Sequence, residues 1–241
     1  MNETLDRKYR LKFSDFNCHD EIAPYAILDF FQDVAGEHAD YIGIGFNDMV
    51  KRGYYWVLVR TKFEIIESPK EYTNIVTKTW PKKRGKIDFD REYTISDDNG
   101  NLLVKGISKW CVIDANTRRL TPCRDLNYSC DIYEEENYPG PFSKIEDFSI
   151  DGFDVYEGKI EYIDMDHNGH VNNISYARFI SNAMKFTKDE HIKTFEINYI
   201  KEMQMGDEYV VYYKRDGKKY YIKGFIKETN EVSFVSVIEI K

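Results

Sequence analysis

One order of elements occurs twice along this chain, and few folds can accommodate it. Residues 8–17 alternate like a strand, and residues 23–41 carry helical spacing. Strand-like runs follow at 54–66, 73–80, 87–96 and 102–114. After a break the order returns: a strand at 155–163, a helix at 173–186, then strands at 194–203, 209–216, 219–228 and 233–241. The halves share little identity, so the repeat is one of structure. It predicts an α+β protein built as a pseudo-dimer, with two helices against one continuous sheet or two paired ones. The first helix is apolar around more than one stripe (Ile27, Leu28, Phe30, Phe31, Val34, Ala35), as a helix wrapped by other structure must be. Between the halves, Leu126 to Ile150 lacks periodicity, carries Glu134-Glu135-Glu136 and Pro139-Gly140-Pro141, and reads as a linker or draped connection.

Composition narrows the function classes. The chain has 241 residues with 15% aromatic and 32% charged side chains, enough for a core and unlike a disordered segment. A net charge of −8 disfavours a nucleic-acid binder. No apolar run is long enough to span a membrane, and MNETLDRKYRLKF has neither a signal-peptide core nor transit-peptide bias. The expected location is the cytoplasm. Cys18, Cys111, Cys123 and Cys130 show no CxxC spacing and are expected to be free thiols packed as small apolar groups.

The stretch richest in chemistry is Glu161–Phe186. Asp164, Asp166, Asn168 and His170 are spaced by two, which on extended chain would turn them to one face. Asn172 or Asn173 then caps a helix whose apolar residues are Tyr176, Phe179, Ile180 and Ala183. Carboxylate, carboxamide and imidazole would thus stand beside free N–H groups at a helix start, a place suited to a developing oxyanion. Asp164-x-Asp166-x-Asn168-Gly169 also opens like an EF-hand loop. The loop's twelfth position, which needs a bidentate Glu, is Ser175, and the preceding segment reads as a strand, so no metal is expected. For Asp164 a turn-forming role is the better reading. Among the other histidines, His38 reads as a satisfied group within the first helix, and His19, His167 and His191 as loop or surface residues.

Several segments together resemble the acyl-acyl carrier protein thioesterases. Thr79-Trp80-Pro81 before basic residues and Ile113-Asp114 with Thr117-Arg118-Arg119 are similar to parts of that family's first unit. Asp164-Met165-Asp166-His167-Asn168-Gly169-His170-Val171-Asn172-Asn173 resembles its D-x-D-x-N-x-H-V-N-N signature. The resemblance implies a tandem (double) hot-dog fold, each unit a long helix wrapped by a curved antiparallel sheet. Residues 1–127 would hold the acyl chain, 128–150 would link, and 151–241 would carry the catalytic groups. It implies that Asp166, Asn168, His170 and Glu202 are catalytic, without a cofactor. The family's plant members have Cys after the Glu; here Met203 follows Glu202, which excludes a thiol nucleophile. With no transit peptide evident, the resemblance is to the bacterial branch.

The implied reaction is hydrolysis of fatty acyl-acyl carrier protein, with the carrier protein and its acyl thioester as partners, neither nucleic acid nor membrane, and a homodimer left open. The chain would enter the first unit along Phe30, Phe31, Val34 and Ala35. Alternatives on the same fold are an acyl-coenzyme A thioesterase, a non-catalytic acyl-binding module, and a 3-hydroxyacyl dehydratase using His38. Lys82-Lys83-Arg84-Lys86, Arg118-Arg119 and Lys214-Arg215 with Lys218-Lys219 read mostly as solvated turns, with docking of an acidic carrier as the functional alternative.

Overall fold

The computed structural model describes residues 3–123, 126 and 133–241. In the first half, β1 (Leu5–Arg10) precedes α1 (Pro24–Tyr41) and the short α2 (Phe46–Lys51). Then come β2 (Tyr54–Ile65), β3 (Asn74–Pro81), β4 (Asp88–Asp97) and β5 (Leu102–Asp114). In the second half, β6 (Asp154–Lys159) precedes α3 (Asn173–Met184), β7 (Ile192–Tyr199), β8 (Glu208–Asp216), β9 (Lys219–Ile226) and β10 (Glu231–Ile240). The strands form one 10-stranded sheet in the order β1-β3-β4-β5-β2-β7-β10-β9-β8-β6, with antiparallel neighbours throughout. Read outward from the β2–β7 seam, the two halves have the same order. The predicted repeat is therefore one continuous sheet, the double hot-dog arrangement.

The seam is held by packing as well as by ladder bonds. Phe63 of β2 lies opposite Phe195 of β7, both fully buried, with rings stacked at 5.2 Å. α1 and α3 lie against each other and bury Ile27, Phe31, Val34, Phe179, Ile180 and Ala183 in a core shared by both halves. The helices come so close to the sheet that some strand positions tolerate no side chain. A Cβ on Gly106 of β5 would sit 2.2 Å from the Phe31 ring and 3.2 Å from the Lys62 carbonyl. Gly106→Ala is expected to destabilise the fold by about 1–3 kcal/mol, because the ring must leave its place; chemical denaturation measures it.

Several boundaries differ from the sequence reading. β1 ends at Arg10 because the chain turns at Phe13–Asp15, where Asp15 Oδ2 accepts the Lys12 N–H at 2.7 Å. α2, unpredicted, covers a second cluster containing Ile44, Met49, Phe89 and Val112. β6 stops at Lys159 and β7 at Tyr199, which puts Glu202 in a loop rather than a strand.

The connection 133–150 lies over side chains and backbone of both halves. Trp80 Nε1 donates to the Glu135 carbonyl, the Asn137 and Tyr138 N–H groups donate to the Glu92 carboxylate, Arg60 donates to the Phe142 carbonyl, and Lys223 reaches Asp147. Lys82 is consumed in this docking, near Glu92 at 3.3 Å and Glu136 at 3.2 Å, and Arg84 donates to the Cys123 and Leu126 carbonyls. Those members of the basic clusters hold the fold together. Cys111 and Cys123 are buried free thiols, Cys18 is an exposed one, and Cys130 lies outside the described residues.

Candidate functional site

Asp164 through His170 do not form the extended row that their spacing suggested. Tyr162–Asp164 is a 3-10 turn, with Asp164 Oδ2 accepting the Glu161 N–H at 2.9 Å. A tight loop follows, closed by Asp166 N–H to the His170 carbonyl (2.7 Å) and Gly169 N–H to the Asp166 carbonyl (3.1 Å), with Met165 bridged to Val171. Gly169 has φ 78°, a backbone that favours glycine. Asp166 Oδ1 accepts the N–H of Asn168 (2.8 Å) and of His170 (3.1 Å), and Asn168 Nδ2 lies 3.4 Å from Oδ2. Convergence is achieved by turns, not by alternation.

Asp164 is buried and its carbonyl takes the Asn172 N–H and the Ser175 hydroxyl, so it ties the loop to the helix. Asn172 caps α3, its side chain accepting the Ile174 N–H at 3.1 Å. The Asn173 N–H, at the first helical position, meets no acceptor among the described residues.

Glu202 is brought to this loop from the far end of β7. Both Ile200 and Lys201 donate their N–H to the Ser233 carbonyl, which ends the ladder. Beyond that point, the Ser233 hydroxyl holds the Lys201 carbonyl at 2.7 Å, and the Met203 N–H reaches Tyr176 Oη at 3.4 Å. Burial pushes the Tyr176 phenol up to about 12, so it stays protonated. The result is direct contact between Glu202 Oε1 and His170 Nδ1, with both side chains about half exposed (43% and 52%). The four predicted side chains therefore form two contacting pairs, His170–Glu202 and Asp166–Asn168, joined through the His170 N–H.

A small, partly open cleft lies beside α3. The first half lines it with Phe31, Leu58, Tyr93 and Trp110, and the second half adds Asn173, Ile174 and Tyr199. Of the α1 residues expected along an acyl chain, Phe31 lines this cleft, while Val34 and Ala35 are buried in the core and Phe30 packs against it. Two contributors escaped the sequence reading. The Tyr199 hydroxyl donates to the Asn173 carbonyl at 3.2 Å, and Phe46 of α2 meets His167 edge-on at 5.5 Å. The apolar spacing Phe46, Met49, Val50 was the available signal for α2.

The loop has a counterpart in the first half that reproduces its backbone hydrogen bonds residue for residue, Asp15 standing for Asp164 and Ala23 for Asn172. Asn17 accepts the N–H groups of His19 (2.8 Å) and Glu21 (3.2 Å), Phe16 bridges Ile22, and Asp20 takes the positive φ of 61°. The chemistry is not reproduced. Asn17 replaces Asp166, Glu21 replaces His170 and pairs with His191, and Pro24, which has no N–H, replaces Asn173.

Family models agree with this two-part architecture. The acyl-ACP thioesterase N-terminal domain matches residues 2–129, and the acyl-ACP thioesterase C-terminal domain matches 149–238. The chain belongs to the acyl-ACP thioesterase family. Among curated members, it is 25% identical over 189 residues to the chloroplastic acyl-[acyl-carrier-protein] hydrolase FATB3 of Cuphea viscosissima, covering 71% of this chain and 44% of that one. It is 26% identical over 202 residues to the chloroplastic oleoyl-acyl carrier protein thioesterase 2 of Arabidopsis thaliana, covering 75% and 54%. The chain thus spans about half the length of the curated relatives it matches. Among solved members, an acyl-ACP thioesterase from Bacteroides thetaiotaomicron superposes with a TM-score of 0.87 at 24% identity, over 99% of this chain and 98% of that one. The 12:0-ACP thioesterase from Umbellularia californica gives 0.84 at 18% identity, over 100% and 98%. These acyl-ACP thioesterases share the double hot-dog fold with this chain. No helix among the described residues is long and apolar enough to cross a membrane.

Proposed function

We propose that this chain hydrolyses the thioester of fatty acyl-acyl carrier protein in the cytoplasm and releases the free fatty acid. The observation that carries the proposal is the His170–Glu202 contact, made three residues before the uncommitted N–H of Asn173, a residue that lines an apolar cleft. Family membership supports the same reaction. The acyl chain lies in the cleft, and its carbonyl oxygen meets the Asn173 N–H, which stabilises the tetrahedral oxyanion. Asp166 Oδ1 is committed to the loop, so Oδ2 is the atom that takes the proton of the attacking water. The water oxygen bonds to the carbonyl carbon, the carbon–sulfur bond breaks, and the His170–Glu202 pair gives the leaving sulfur its proton. Asn168, close to Asp166 Oδ2, orients the water. Solvent at the half-exposed pair restores both protonation states. One chain supplies every group, so a homodimer adds nothing to the site.

Parallel kinetics on acyl-carrier-protein and acyl-coenzyme A substrates test the substrate class. The expected result is a higher kcat/KM for the carrier-bound form; equal or reversed values would favour the coenzyme A reading. Glu202→Gln keeps the size of the side chain and removes the charge facing His170. Its kcat is expected to fall roughly a hundredfold, the low end for a lost acid/base partner. A change confined to KM would reduce Glu202 to a positioning role.

A further inference from the structure

Hydroxyl groups interrupt the largely apolar lining of the cleft. Thr61 of β2 and Ser108 of β5 are cross-strand partners on one face of the sheet, 3% and 2% exposed, and both line it. Tyr93 of β4, 1% exposed, stacks on Phe31 at 4.2 Å and also lines the cleft. Its hydroxyl is 2.8 Å from Ser108 Oγ, and Trp110 Nε1 donates to that same oxygen at 2.7 Å.

One hydroxyl proton in this group has no partner among the described residues. The Trp110 N–H is used on Ser108. Between Ser108 and Tyr93 only one hydroxyl can donate to the other, so the remaining O–H has no acceptor among the described residues. Burial pushes the Tyr93 phenol up, so the group keeps its proton. Thr61, which also lines the cleft, adds a further hydroxyl there. A saturated chain filling the cleft would expel water and strand these donors. An oxygen on the chain would satisfy them.

We propose that the preferred acyl group carries a keto or hydroxyl oxygen near its thioester end, held by the hydroxyls of Thr61 and the Tyr93–Ser108 pair. The inference rests on the hydrolase reading for the direction in which the chain lies. The position of the oxygen follows from the same cleft reaching Asn173, where the carbonyl is placed. Buried donors left unpaired by the wrong ligand typically cost a factor of roughly ten to a hundred in preference.

Purified protein should be assayed on carrier-bound chains of equal length that are unsubstituted, 3-hydroxylated or 3-oxo. The wild type is expected to favour an oxygenated chain in kcat/KM by roughly ten- to a hundredfold. Thr61→Val, which keeps the shape, and the double variant Tyr93→Phe with Ser108→Ala are expected to lose most of that ratio, kcat/KM falling far more on the oxygenated chain than on the unsubstituted one. A wild-type ratio near one, or a ratio unchanged in both variants, overturns the inference while leaving the hydrolase in place. If no thioester is turned over, the hydrolase reading fails. Thermal stabilisation by the corresponding free acids then decides the oxygen preference by itself, with equal shifts overturning it.

Discussion

Asp166→Asn is expected to leave the fold unchanged and to lower kcat by about 10²–10⁴, the range for removing a catalytic proton acceptor. The molecule contains its own control for this substitution. In the first half Asn17 occupies the equivalent place, and its carboxamide oxygen accepts two N–H groups at 2.8 and 3.2 Å. Asp166 accepts the corresponding pair at 2.8 and 3.1 Å. The turn therefore needs an acceptor oxygen and no charge. A carboxylate there calls for a reason outside the turn, and the proposed mechanism supplies one. Thermal unfolding should match the wild type while steady-state hydrolysis collapses. Near-normal hydrolysis by a folded Asp166→Asn protein would remove Asp166 from the mechanism.

Asn173→Pro is expected to cost about 10²–10³ in kcat, the usual effect of losing one oxyanion donor. Proline would normally be a poor choice within a helix, but at the first helical position its ring suits the required φ and the missing N–H breaks no helical bond. Here again the first half provides the precedent, since α1 begins with Pro24 after a residue in extended backbone. Asn172, at φ −59° and ψ 132°, already has the conformation that a residue before proline adopts. The variant should fold, bind substrate and fail at chemistry, seen as a fall in kcat with KM little changed. An intact kcat would mean that the oxyanion is stabilised elsewhere.

These two substitutions also explain why the two halves are not equivalent in chemistry. Both loops satisfy the same backbone, and the sheet surrounds both helices alike. The first loop lacks the carboxylate at Asn17 and the donor at Pro24, so the mechanism proposed for the second half has no counterpart there.

Much of the architecture was legible in the sequence because it depends on periodicity. β5 runs over 102–114 as its alternation predicts, and α1 and the start of α3 fall within a residue of their predicted bounds. Ends went wrong where a specific hydrogen bond, not a pattern, stops the element. The Ser233 carbonyl ends β7, and the Asp15 side chain turns the chain after β1. In the site, Asp166, Asn168 and His170 stood out because three kinds of polar group cluster before a cap. Glu202 had no local signal, and resemblance alone pointed to it. The Asn173 donor is a backbone group, visible only as part of a helix start. The kinship of the two loops was hidden because folding there constrains acceptor atoms and backbone angles, and Asn17 or Asp166, Asp20 or Gly169, serve equally well.

The most direct measurement compares the free fatty acids in a bacterial host producing the wild-type chain, the Asp166→Asn variant or neither. The wild type should raise free fatty acids well above the host's own level, and the variant, present at the same amount, should not. Equal levels in all three cultures, with folded protein in hand, would contradict the assignment of thioester hydrolysis to this site.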